Sequence, residues 1–302
     1  MTPMVAAVGR IWRDGRRVER AAYVVGAVLF AGGLANAVVL LASGGTWLGP
    51  VSLRKAVTFG LSFGLTLATV AWATSYLTVR GRTVLLGAFL LACVTEVALV
   101  TMQAWRGVPS HFNFETGFDA AVSMTLAAGG GVIVLTGLGF TVAAFLSPGA
   151  MAPSQRLAVR FGLLVLMVAL ATGAVMIARG VGEARGGDPQ LAYTTAGALK
   201  PLHAVAMHAI LVLPGLAWLL RFTGLAERQR LRLVWLAVVA DAVLTAVIGI
   251  EAFTGIPPFS APAVYTGLSA VALAVLAGTV IFALFSALRG KESPDYFRAS
   301  NP

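Results

Sequence analysis

Eight stretches of the chain, about 21–43, 55–77, 83–105, 117–146, 156–178, 201–222, 231–252 and 266–288, are apolar over the length that an α-helix needs to cross a hydrocarbon layer. That length is roughly 20 residues for a layer about 30 Å thick. Inside lipid every backbone N–H and C=O must be satisfied within the protein, and continuous apolar runs of this length satisfy them only as helices. A membrane β-barrel would instead show segments of about ten residues with alternating polarity, and these are absent. Composition removes the remaining classes. The chain is 58% hydrophobic and 11% charged, whereas soluble domains carry about 25% charged residues. Disorder requires the opposite balance of low hydrophobicity and high charge. The expected fold is an all-α polytopic transmembrane bundle of about eight helices, with the lipid bilayer as its surroundings.

The net charge of +10 comes from 22 Lys and Arg against 12 Asp and Glu. In a soluble protein such an excess points to nucleic acid. Here the basic residues fall in the gaps between apolar runs, so topology explains them and no nucleic-acid partner is expected. With the N-terminus placed in the cytoplasm, 16 of the 22 lie on the inner side and 6 on the outer side. This asymmetry is the positive-inside pattern. It predicts a plasma (inner) membrane protein with both ends cytoplasmic, as an even number of spans requires. Residues 1–20 carry Arg10, Arg13, Arg16, Arg17 and Arg20. The apolar run after them exceeds a signal-peptide h-region, so it reads as a retained anchor. The single cysteine, Cys93, lies in an apolar run and reads as a small buried residue.

The runs also repeat. Leu53-Arg54-Lys55 opens the second run and leads to Trp72; Leu199-Lys200-Pro201 opens the sixth and leads to Trp218. Gly107-Val108-Pro109 and Thr116-Gly117 are echoed by Gly255-Ile256-Pro257 and Thr266-Gly267. A duplication of four spans fits these offsets, giving halves at 21–146 and 147–288 between a basic segment, 1–20, and a tail, 289–302. An even number of spans per half makes the repeat parallel, about an axis along the membrane normal.

Ionisable groups at membrane depth are costly, by about 2.5–3.5 kcal/mol on insertion scales, so each is a functional candidate. Glu96 lies near the middle of the third run, with Gln103 seven residues later on the same face. Asp241 lies near the middle of the seventh, with Thr245 one turn on. The three histidines all fall toward the outer side: His111 after the third run, His203 at the start of the sixth, and His208 deeper in it. Three imidazoles can complete an open zinc site, or ligate copper or haem iron. The spacing on the sixth run resists this, because five residues leave His203 and His208 pointing about 140° apart. Pro214 is the one residue placed to distort that helix. Asp119 sits three residues after Thr116 in a capping-box pattern.

Thr58, Ser62, Thr66 and Thr69 form a hydroxyl stripe beside Gly60 and Gly64, which reads as close helix packing or a polar path. Gly129-Gly130-Gly131 permits close approach or a kink. Trp47, Trp105, Tyr193 and Tyr265 fit an outer aromatic belt. No phosphate-binding, dinucleotide-binding, serine-hydrolase or HExxH motif is present.

The segments Trp105-Arg106-Gly107-Val108-Pro109-Ser110-His111-Phe112-Asn113 and His203-x4-His208-Ala209, with Val212-Leu213-Pro214, resemble an uncharacterised group of bacterial multi-pass membrane proteins. The resemblance covers about a third of the chain and implies a membrane class without an activity. The count of three histidines is also that of the zinc ligands in ceramidase-like membrane hydrolases, although the H-x-x-x-H spacing of that family is missing. Three functional expectations follow. The first is an outward-facing pocket of His111, His203, His208 and Glu96 that binds zinc, copper, haem or a small polar ligand, with Glu96 as base or supporting group. The second is a small-solute or proton-coupled transporter using Glu96 and Asp241. The third is an assembly subunit without its own chemistry.

Overall fold

The computed structural model describes residues 3–49, 51–147, 149–187, 192, 197–257 and 260–289. Among the described residues there are nine helices and no strand. They are α1 (Pro3–Asp14), α2 (Arg17–Ala42), α3 (Arg54–Ala73), α4 (Arg82–Trp105), α5 (Gly117–Leu146), α6 (Pro153–Arg185), α7 (Lys200–Leu220), α8 (Glu227–Thr254) and α9 (Ala263–Arg289). A 3-10 turn, Thr74–Tyr76, extends α3. Helices α2 to α9 are the eight expected spans, each long and apolar enough to cross a membrane. The turn signals at Pro50, Pro148, Asp188-Pro189 and Pro258 lie outside the described residues, as do Tyr193, Lys291 and Arg298.

The largest departure in length is α6, which runs for 33 residues. At 1.5 Å per residue that is about 50 Å, well beyond the hydrocarbon thickness. Its added turns carry Arg179, Glu183 and Arg185, whose charges are tolerated because they lie past the apolar layer. A second departure is α1, which forms inside the segment expected to be a plain basic extension. Its Ala7 is buried, and Ala7 and Met4 cluster with Trp218, Phe222 and Ala287, so the helix lies across the end of the bundle where α7 and α9 finish. Val5, Val8 and Trp12 remain exposed on its other side. Apolar and basic faces at helical spacing are the mark of a helix lying in a membrane interface.

Backbone contact sets the tightest interface, between α2 and α3. A Cβ built on Gly64 would stand 2.5 Å from the Gly26 carbonyl oxygen, and one on Gly60 would stand 2.6 Å from the Gly33 Cα. Glycine at these four positions lets two helices approach closely, which is how helices associate where lipid removes the hydrophobic drive. Thr58 and Ser62 donate to the carbonyls of Arg54 and Thr58 on their own helix. Two hydroxyls of the stripe are thus bonded to the backbone of their own helix. In the second half α6 meets α7 in the same manner, with Gly162 against Ala209 and Ile210.

Most neighbour relations of the first four spans recur in the last four, although α7 also packs on α9 without a comparable α3–α5 contact among the described residues. Helix α2 packs on α3, α3 on α4, α4 on α5 and α2 on α4; likewise α6 packs on α7, α7 on α8, α8 on α9 and α6 on α8. The two sets meet through α5–α6 and α3–α7. In the second of these contacts Trp72 and Trp218 stand edge to face, with centroids 6.3 Å apart. Each indole also packs edgewise on the aromatic one turn later, Trp72 on Tyr76 and Trp218 on Phe222.

At the end where α2 begins, called here the basic end, a buried ion pair joins three elements. Arg82 Nε donates to Glu19 Oε1 at 2.7 Å, and both side chains are 4% exposed. The same guanidinium donates to the Thr74 and Ala71 carbonyls and to Thr74 Oγ1. It thus adds a side-chain donor to carbonyls at the end of α3 and in the 3-10 turn that follows. Arg16 adds a second contact to Glu19, at 3.0 Å.

Candidate functional site

The polar residues that the sequence marks out settle into separate places. The first is a knot at the end opposite the basic end, where α4 finishes and α5 starts. Thr116 caps α5 by accepting from the Asp119 N–H at 3.1 Å, and its hydroxyl donates to Asp119 Oδ2 at 2.7 Å. The expected capping role of Asp119 is therefore present. Gln103 Nε2 also donates to Asp119 Oδ1 at 2.9 Å, and Arg106 pairs with the same oxygen at 2.6 Å. Arg106 further donates to Gln103 Oε1. With Gln103 and Asp119 both buried, their hydrogen-bonding capacity is used in tying α4 to α5.

The second place holds His111, on the loop between those helices. Its Nδ1 lies 2.9 Å from Ser110 Oγ, and its ring packs edgewise on Phe59 of α3 and on Phe112. Phe112 has φ +58°, a left-handed conformation uncommon for a bulky residue. That turn lays its ring on Gly180 of α6, where a side chain of any size would collide with it. The loop is pinned again by Asn113 and Ser123, which exchange two hydrogen bonds. Burial first, and then the charge of Lys55, push the His111 imidazole down to about 3. A neutral ring hydrogen-bonded to the neighbouring hydroxyl and packed on two phenyl rings is a packing element of the loop.

The remaining histidines, on α7, diverge as the helical turn requires. His203 Nδ1 donates to the Ala169 carbonyl of α6 at 2.8 Å, in a slot left open by Gly173. His208 is exposed and donates through Nδ1 to the Ala204 carbonyl one turn back, at 2.6 Å. Helix α7 runs unbroken through Pro214, so the distortion that would bring the two rings together does not occur. Among the described residues no three His, Cys, Asp or Glu side chains gather closely enough to hold a metal ion. The expected shared zinc or copper site on His111, His203 and His208 thus finds no counterpart, and the contacts of the three rings give a haem no support. The physical reason is that each imidazole is taken up by a local or interhelical hydrogen bond in a different place.

The last two places are the two acids at membrane depth. Glu96, buried on α4, projects onto α5, where its Oε1 lies 2.9 Å from the position a Cβ would take on Gly129. The glycine run of α5 is therefore the seat of the Glu96 side chain. Asp241 is 3% exposed near the middle of α8. Its Oδ2 has no hydrogen-bond partner, and neither does Thr245 Oγ1 one turn on. Buried polar atoms are nearly always paired, so these two atoms, like both polar atoms of the buried Gln155 side chain, are exceptions in the interior.

Sequence reasoning missed the Glu19–Arg82 pair and the chambers beneath α1. Two residues 63 positions apart carry no local signal of pairing. The amphipathic spacing of α1 was legible, but a single short helix does not reveal what it covers.

The chain matches no protein-family model, no curated protein and no solved structure.

Proposed function

We propose that this integral membrane protein is a proton-coupled transport protein in which Glu96 and Asp241 carry the protons. The observation that carries the reading is the Asp241 carboxyl. It lies about 21 Å along α8 from the first residue of that helix, with one oxygen and the neighbouring Thr245 hydroxyl unpartnered. An ionised carboxylate at such depth costs about 2.5–3.5 kcal/mol. Loading of the proton is therefore linked to which side of the membrane the site faces. Glu96 occupies a comparable depth on α4, the helix that corresponds to α8 in the twofold neighbour pattern.

Two halves derived from one four-helix unit, about an axis through the α3–α7 contact, supply the rocking bodies that such a carrier uses. In this reading the basic end faces the cytoplasm. The resemblance to bacterial multi-pass membrane proteins agrees with a plasma-membrane setting. The second reading, a small polar ligand held by the histidines, is favoured by no contact of these rings.

The test is voltage-driven proton flux into liposomes that hold the purified protein and an internal pH dye. Flux above protein-free liposomes is expected, falling at least tenfold in Asp241→Asn and Glu96→Gln and unchanged in His208→Gln. Equal flux in the wild type and both acid variants would overturn the reading.

A further inference from the structure

Two adjoining chambers lie beneath α1 at the basic end. One, of about 460 Å³, is lined in part by charged side chains, Arg10, Arg16, Arg221, Asp14 and Glu19. The other, of about 520 Å³, is apolar and runs between α3 and α7, walled by Ala68, Trp72, Gly215, Trp218 and Leu219. Ile11, Tyr23 and Trp218 line both, so the chambers share a wall. Each falls within the size of ordinary ligand sites, about 300–1,000 Å³.

Three further observations define the occupant. Val8 and Trp12, which border the apolar chamber, are 55% and 47% exposed, so its mouth opens on an apolar surface, the one that faces lipid. Gly215 leaves the chamber open, since a Cβ added there would meet no atom within 4 Å. The charged chamber carries three guanidinium groups against two carboxylates. Glu19 is bonded both to Arg16 of the lining and to Arg82 from outside the chamber, so with three guanidiniums and two carboxylates the lining is net positive.

The depths of the chambers are also ordered. The charged one lies at the α1 interface, and the apolar one reaches deeper, to Thr69, one turn into α3 from Trp72. A positive head chamber at the interface, joined to an apolar slot that leads into the bilayer, matches one molecular shape. We propose that the double chamber binds an anionic phospholipid of the surrounding leaflet, its headgroup against the arginines under α1 and an acyl chain between Trp72 and Trp218.

The proposal is tested on the full chain in detergent by native mass spectrometry, with phosphatidylglycerol, phosphatidylethanolamine and glycerol phosphate as probes. Phosphatidylglycerol should be retained at least fivefold over phosphatidylethanolamine, and glycerol phosphate should not compete. One basic side chain near an anionic lipid contributes about a fivefold factor, so Arg10→Gln and Arg221→Gln should each lower the preference by about that much. Gly215→Trp, which fills the apolar slot, should abolish retention with an unchanged melting temperature, whereas Gly87→Trp, on α4 in open space, should not. If an arginine variant fails to fold, the comparison of Gly215→Trp with Gly87→Trp decides. Equal retention of both lipids, competition by glycerol phosphate, or full retention by Gly215→Trp would overturn the proposal. None of these results depends on proton flux.

Discussion

Replacing Gly129 with alanine separates the position of Glu96 from the stability of the bundle. The added Cβ would lie 2.9 Å from Glu96 Oε1 and 3.7 Å from its Cδ, and no other helix atom stands as close. Carbon–oxygen contact distances are ordinarily above about 3.4 Å, so the oxygen must retreat by about half an ångström. It is the end of a flexible side chain, so the retreat is cheap. Alanine also gains up to about 1 kcal/mol of helix propensity over glycine. The expected net change in stability is therefore within about 1 kcal/mol.

The carboxyl, however, leaves its seat against Gly129. Displacements of about an ångström at a reacting group cost on the order of a hundredfold in rate, so a displacement of half that size is expected to lower proton flux about tenfold. Two companions bracket the result. Gly131→Ala meets nothing within 4 Å and should leave both flux and melting temperature unchanged or slightly raised. Gly64→Ala meets the backbone of Gly26 and Phe30 at 2.5 and 2.6 Å. Backbone cannot yield as a side-chain tip does, so α2 and α3 must part, at about 1–3 kcal/mol. Glu96→Asp in the Gly129→Ala background withdraws the carboxyl by one bond, about 1.5 Å, further than the alanine requires, and should lower the flux again. The measurements are liposome proton flux and thermal melting in detergent. Wild-type flux in Gly129→Ala, or an equal loss in Gly131→Ala, would refute the reasoning.

Arg82→Met removes one partner of a buried ion pair and strands Glu19, so stability should fall by about 3–5 kcal/mol, and Glu19→Leu added to it should recover much of that loss in the same melting assay. The His111 ring takes a proton only near pH 3 in the folded protein and near 6.5 once unfolded. Its contribution is therefore complete above about pH 6.5 and is lost as pH falls toward 3, so melting temperature should drop over that window and His111→Gln should flatten the drop. Gly180→Ala should unseat the Phe112 ring and loosen the α4–α5 loop, read as faster proteolysis at residues 107–116 with the spans intact. Chelation with EDTA should leave the melting temperature unchanged, because among the described residues no three His, Cys, Asp or Glu side chains gather closely enough to hold a metal ion.

The chain on its own fixed the class, the number of spans and most of their limits. That information is local: a run of about 20 apolar residues must be helical in lipid whatever surrounds it. The capping role of Asp119 was equally local, since Thr116 lies three residues away. The divergence of His203 and His208 followed from helical geometry alone. Tertiary packing decided everything that depends on which helix stands beside which. It placed Glu96 on Gly129, left Asp241 and Thr245 without partners, joined Glu19 to Arg82 and drew Trp72 to Trp218. It also assigned the three imidazoles to three different hydrogen bonds instead of one metal. Hydropathy records how deep a residue lies; it carries no record of the rotation of each helix about its axis, and that rotation determines which polar groups meet.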